Sequence, residues 1–174
     1  MSNITTVILA AGRSTRFKAT TSKLIYPLCG LPIISHVYSV AKKISGNKVV
    51  VVCNKENINE LKLIQKDCIF VIQNQQRGTA DAIEQAKNKI NSKHVLVLFG
   101  DTPLITLSSI KKLIKKFISS KAKASLIAFR TQKPFGYGRL LIKNNVFEEI
   151  IEEINLNIYQ KKINLCNSGI LIAE

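Results

Sequence analysis

The chain has 174 residues, a hydrophobic fraction of 46% and a formal net charge of +15, from 26 Lys and Arg against 11 Asp and Glu. This length suits one domain that buries about two-thirds of its unfolded surface, and no apolar run reaches the roughly 18 residues of a membrane span. The charge points either to a polyanionic partner (nucleic acid, or a phosphate-rich small ligand) or to drift in a chain rich in Lys, Ile and Asn.

The N-terminal MSNITTVILAAG lacks the basic start and long apolar stretch of a signal peptide and reads as a first strand, Thr5–Ala11. Apolar residues at 33, 34, 37, 40, 41 and 44 predict a helix. KVVVVC (48–53) is a β-branched strand, ENINELKLIQK (56–66) a short helix and CIFVIQ (68–73) a strand. TADAIEQAKNKI (79–90) reads as a helix with Thr79 as N-cap. HVLVLF (94–99) is a strand opened by His94, Leu107–Ser119 a basic amphipathic helix, and ASLIAF (124–129) another strand. Continuous apolar strands alternating with helices predict an α/β fold with a parallel sheet covered on both faces.

The pattern changes after Phe129. GRLLIK (138–143) and VFEEIIEE (146–153) flank Asn144-Asn145, a candidate tight turn, and NLCNSGILIAE (164–174) follows. Strand now succeeds strand, which predicts an antiparallel C-terminal extension. Cys29, Cys53, Cys68 and Cys166 are scattered, with no zinc spacing, and fit a reduced, cytoplasmic setting. His36 and His94 are isolated, without a second ligand or partner acid in the pattern. The lysines of the basic helix (Lys111, Lys112, Lys115, Lys116), with Lys121 and Lys123, read as a solvated face. Phe117 alone falls among them, without the run of interleaved aromatics that stacking on single strands needs, which argues against a nucleic-acid partner.

In open parallel sheets, ligands bind beyond the carboxyl ends of the strands. Three stretches fall there. Ala10, Ala11 and Gly12 have almost no side chain, so a base or phosphate can approach the backbone. Arg13, Ser14, Thr15, Arg16 and Lys23 add donors and cations. The stretch is either a phosphate-binding loop or a basic turn; it is neither a Walker A loop nor a GxGxxG fingerprint. In VIQNQQRGTADAI (71–83), Gln73 and Gln76 can read a base edge and Gly78 allows close approach; the plainer reading is a polar loop. Asp101, after an apolar strand, can hold a divalent cation over phosphates or cap the next helix.

Taken in order, these segments resemble a family. Leu9-Ala-Ala-Gly12 with Thr15-Arg16 and Lys23 comes first, then Gln73 with Gly78-Thr79-Ala80, then Gly100-Asp101-Thr-Pro103-Leu104. Gly136-Tyr-Gly-Arg139 and Asn167-Ser-Gly-Ile-Leu171 complete the set. From Val7 to Ala173 the chain resembles the sugar-nucleotide nucleotidyltransferases, and within them the uridylyltransferase domain of the bacterial bifunctional N-acetylglucosamine-1-phosphate uridylyltransferases. The resemblance implies a Rossmann-like nucleotidyltransferase fold, mostly parallel, with helices on both faces and an antiparallel C-terminal extension. It also implies Mg²⁺ as cofactor, UTP and a sugar 1-phosphate as small-molecule partners, and a cytoplasmic enzyme making a peptidoglycan precursor.

Roles follow residue by residue from the resemblance. Leu9, Ala10, Ala11 and Gly12 supply backbone around the uridine. Gln73 and Gly78 read uracil, with Thr79 beside it. Arg16 and Lys23 hold the phosphates. Asp101 binds Mg²⁺, and Phe99 and Gly100 line the nucleoside. Gly138, Glu152 and Asn167 contact the N-acetylglucosamine part. Two positions depart from the family pattern: Ser22 stands where a proline precedes the lysine, and Phe99 where a tyrosine is common. In the family the domain continues for several dozen residues, which carry an asparagine as second Mg²⁺ ligand; bifunctional members then add a left-handed β-helix acetyltransferase. The expectation is therefore a single nucleotidyltransferase domain over 1–174, short at its C-terminal end, with no acetyltransferase activity. Three rival readings remain at this stage: a remnant that binds nucleotide without turnover, an enzyme for another NTP and sugar 1-phosphate, and a nucleic-acid module.

Overall fold

β-branched runs buried on both faces build the centre of the sheet. A computed structural model describes residues 3–12, 22–144 and 146–174. Strand β1 (Ile4–Leu9) precedes a short hairpin of β2 (Pro27–Leu28) and β3 (Leu31–Pro32). Then come α1 (Ile33–Ser45), β4 (Val49–Cys53), α2 (Ile58–Ile64), β5 (Ile69–Ile72), α3 (Thr79–Ala86), β6 (His94–Phe99) and α4 (Leu107–Ser120). The chain continues through β7 (Ala124–Arg130), β8 (Arg139–Lys143), β9 (Val146–Ile151) and β10 (Leu165–Ala173).

The strand order is β5-β4-β1-β6-β10-β8-β9, with β7 also paired to β10. The pairs β1–β4, β1–β6 and β4–β5 are parallel. β10 runs antiparallel to β6, β7 and β8, and β8 runs antiparallel to β9. The alternating half of the sequence therefore gives the parallel half of the sheet. β7 is the exception: it pairs with β10 rather than with a parallel neighbour. The long β10 enters between β6 and β7, so β7 keeps the common strand direction without a parallel partner.

The inner parallel strands β1 and β4 bury both faces, while β5 at the edge is only partly covered. Ile4, Ile8, Val49, Val51, Leu96 and Leu98 pack against Ile34, Val37 and Ala41 of α1 and Ile110 and Phe117 of α4. Val7, Val50 and Val52 pack against Ala82 and Ala86 of α3 on the other face. Two buried hydroxyls pair within these layers. Thr6 Oγ1 meets Ser45 Oγ at 2.6 Å, and Ser92 Oγ donates to Thr5 Oγ1 at 2.7 Å. Helix α4 has an N-cap in which Thr106 Oγ1 accepts from Ser109 N at 3.1 Å; its lysines at 111, 112, 115 and 116 are exposed. Among the described residues no helix is long and apolar enough to cross a membrane.

Two helices are shorter than their sequence pattern. Asn54 Oδ1 accepts the amides of Glu56 and Asn57, a local turn that holds the chain until Ile58. Helix α3 stops at Ala86, and residues 87–89 wind into a 3-10 turn. Thr79 is not the N-cap. That place belongs to Gly78, whose φ of 108° lets the loop reverse before the helix, and Thr79 is the first helical residue. The turn at Asn144-Asn145 is described only as far as Asn144, at φ 50°; Asn145 lies outside the described residues. His94 begins β6, and His36 Nε2 lies 2.9 Å from Leu28 O, a link to the hairpin.

Arg139 ties the antiparallel region together. Its side chain is 1% exposed and pairs with Glu153 Oε2 at 2.8 Å. Its Nε donates to Ile163 O at 3.0 Å, and its Nη1 donates to Tyr137 O. One buried guanidinium thus joins β8, the 153–155 turn and the approach to β10. Replacing it with an apolar chain strands the Glu153 carboxylate and two carbonyls. Arg139→Met is expected to cost about 3 kcal/mol in urea unfolding; a loss within 0.5 kcal/mol would contradict this account.

Candidate active site

The site begins where β1 ends. Ala10 N still donates to Val52 O at 2.7 Å, and Gly100 N donates to Leu9 O at 2.9 Å. Beyond that the chain leaves the ladder, and its carbonyls need other donors. Asn57 Nδ2 donates to Ala10 O at 2.8 Å. Asn54 Nδ2 and Gln76 Nε2 both donate to Ala11 O, at 3.0 and 2.7 Å. Asn54 and Asn57 are buried at the end of β4, and Asn57 Oδ1 accepts from Asn54 N at 3.1 Å. Three amides thus hold a stretch of small residues open.

That stretch forms one wall of a cleft of about 250 Å³. Leu9, Ala10, Ala11 and Gly12 face Gln73, Gln76, Gly78 and Thr79, with Leu24, Ala82, Phe99 and Asp101 completing the lining. The position matches the switch point of the sheet: β4 lies on one side of β1 and β6 on the other. Gly100 packs beneath the cleft. A Cβ there would meet Leu9 O and the Leu24 side chain, both at 3.3 Å.

A second cleft of about 700 Å³ adjoins the first and shares Thr79, Phe99 and Asp101 with it. It brings Lys23, Gly138, Glu152 and Asn167 together with Tyr137, Ile150 and Ser168. Two local devices shape it. A Cβ on Gly138 would lie 3.3 Å from the Glu152 carboxylate and 3.0 Å from Ile150, so a side chain there would crowd both. In β10 the register shifts between Asn167 and Leu171, and Gly169 at φ 77° lies against the Phe99 ring. The bulge turns this segment toward the cleft. Asn167 Oδ1 accepts from Gly169 N at 2.9 Å and steadies it.

Asp101 and Lys23 meet where the clefts join, at 3.0 Å, with side chains 42% and 36% exposed. A pair this exposed contributes about 0–1 kcal/mol and is easily exchanged. Among the described residues no group of three or more His, Cys, Asp or Glu could hold a metal. A single carboxylate still fits Mg²⁺, which keeps water and takes substrate phosphate oxygens as its other ligands. Burial pushes the Cys53 and Cys68 thiols up to about 11, which disfavours thiolate chemistry at those two residues. Arg16 lies outside the described residues.

Residues 6–154 match the model of the MobA-like NTP transferase domain. The chain belongs to the MobA-like NTP transferase family. Its curated relatives include the bifunctional protein GlmU of Buchnera aphidicola, 40% identical over 98% of this chain, and that of Campylobacter fetus, 36% identical over 97%. The chain spans only 37% and 39% of those proteins, about two fifths of their length. A crystal structure described as a glucose-1-phosphate thymidylyltransferase from Bacillus anthracis superimposes with a TM-score of 0.81 at 20% identity, covering 98% of this chain and 71% of that one. The CMP:2-keto-3-deoxy-manno-octonic acid synthetase solved with CTP gives 0.75 at 17% identity, covering 99% and 74%. These two likenesses establish the Rossmann-like nucleotidyltransferase fold.

Within this NTP transferase domain, most residues picked from sequence converge. Leu9 to Gly12, Gln73, Gly78, Thr79, Phe99 and Asp101 line the first cleft; Lys23, Gly138, Glu152 and Asn167 line the second. Asn54 and Asn57 were not anticipated. Their signal was two asparagines directly after a buried strand, a place where amides commonly serve loop backbone. Asn57→Ala removes the donor to Ala10 O. It is expected to cost about 1–3 kcal/mol in stability and to weaken nucleotide binding measured by calorimetry. An unchanged affinity would show that the amide does not hold the cleft open.

Proposed function

We propose that the chain is a uridylyltransferase that joins UTP and N-acetylglucosamine 1-phosphate, with Mg²⁺, to give UDP-N-acetylglucosamine and pyrophosphate. The observation that carries this reading is the meeting of two clefts at one carboxylate and one ammonium group. One cleft has the small-residue wall a nucleoside needs. The other has the carboxylate, amide and backbone groups a sugar needs. The motif resemblance supplies the substrates, and the GlmU relatives support it.

In the proposed reaction the sugar phosphate oxygen attacks the α-phosphorus of UTP. The bond from that phosphorus to the bridging oxygen breaks, and pyrophosphate leaves. The attacking oxygen is already ionised, so no general base is needed. The protein's task is to place two mutually repelling anions in line and to neutralise the charge that builds up. Lys23 does this by exchanging its weak pair with Asp101 for a phosphate, and Arg16 adds a guanidinium. Asp101 would hold Mg²⁺, which when bound would supply charge neutralisation on the phosphates. Gln73 and Gly78 face the base. Glu152, Asn167 and the Gly138 backbone face the sugar hydroxyls and acetamido group. A net charge of +15 suits two anionic substrates, and the cytoplasm is where we place the reaction.

Asp101→Asn keeps the shape and removes the charge. Pyrophosphate release should fall by about 100-fold or more, with thermal unfolding unchanged within a few degrees. Full activity in that variant would sink the proposed role.

A further inference from the structure

The Gln73 side chain is nearly buried on the wall of the nucleoside cleft, at 4% exposure, and its amide nitrogen is fully committed. Nε2 donates to Asp81 Oδ2 at 2.6 Å and to Gly78 O at 3.3 Å. Both partners can only accept. A flipped amide would set its carbonyl oxygen against a carboxylate and a peptide carbonyl, so the orientation is fixed by charge. Among the described residues nothing donates to Gln73 Oε1, which leaves that oxygen as the polar atom Gln73 offers the cleft. Asp81 holds its place in the first turn of α3, where the helix end favours a carboxylate, and Gln85 Nε2 donates to its Oδ1 at 3.5 Å.

We infer that Asp81 is a positioning residue for base choice. By fixing the Gln73 amide it presents Oε1 as an acceptor, so the cleft takes a base with a ring N–H, such as uracil, over one with an acceptor ring nitrogen, such as cytosine. This rests on the uridylyltransferase reading for its ligand but not for its test. Cytosine would set its ring N3 lone pair against the Gln73 oxygen, and turning the amide to suit it would break two hydrogen bonds. A site built to meet a donor rejects its opposite far better than an apolar pocket rejects a methyl group.

The test is calorimetric binding of UTP and of CTP, each with Mg²⁺, to the full chain and to Asp81→Ala and Asp81→Asn. The wild-type chain should favour UTP by about tenfold or more, the worth of one hydrogen bond made or opposed. Asp81→Ala should bring the ratio close to unity, chiefly by weakening UTP. Asp81→Asn, nearly the same shape but able to serve either amide orientation, should give an intermediate ratio. It also covers the case in which the alanine variant folds poorly. Equal binding of UTP and CTP by the wild-type chain, or binding of neither, would overturn the inference. So would variants that lose stability but keep the wild-type ratio, the outcome expected if Asp81 only serves the helix end. Pyrophosphate release assayed in parallel separates the two claims. Selective binding that depends on Asp81 without turnover leaves this inference standing and removes the catalytic reading. Turnover with an unchanged base ratio does the reverse.

Discussion

Everything at this site depends on how the backbone is satisfied where β1 leaves the sheet. A ligand can approach Ala10 and Ala11 closely only if no side chain stands there, yet carbonyls without a strand neighbour cost about 1–3 kcal/mol each when buried. Asn57, Asn54 and Gln76 supply the missing donors from behind and from the side. The wall therefore stays bare and rigid at once. The same constraint explains the position of the site: at the switch point between β1 and β6 the loops diverge, and side-chain amides replace the ladder.

Charge acts at a second level. The chain is strongly basic, but its exposed lysines on α4 lie apart from the residues lining both clefts. Where the two clefts join the balance is fine: one lysine and one aspartate, half-exposed and weakly paired. A strong buried pair would resist the arrival of phosphates. A weak one lets both groups exchange partners. The strongly held pair, Arg139 with Glu153, is set away from the chemistry and braces the wall that carries Gly138 and Glu152.

Much of this was legible in the sequence, for physical reasons. KVVVVC can only be a strand buried on both faces, and its alternation with amphipathic helices implies the parallel half of the sheet. Gly78 was read as a place of close approach and lines the first cleft; Gly138, picked by resemblance alone, lines the second. What escaped was non-local. The partners of Asn54 and Asn57 lie more than 40 residues away, at Ala11 and Ala10, and no periodicity encodes a side chain's service to a distant carbonyl. The entry of β10 between β6 and β7 is a tertiary choice of the same kind. In EEIIEE, adjacent Glu152 and Glu153 look alike as charges. One lines the second cleft and the other pairs with Arg139, a division only the fold makes. Gly100 was read as a wall of the nucleoside site and packs under it instead, close to Leu9 O.

The most direct measurement is pyrophosphate release by the folded chain given UTP, N-acetylglucosamine 1-phosphate and Mg²⁺, with each omitted in turn. The account predicts release that requires all three together, because the two clefts meet at Asp101, the carboxylate that would hold the cation in the proposed reaction. Folded protein that releases no pyrophosphate, or releases it without the sugar phosphate, would contradict it.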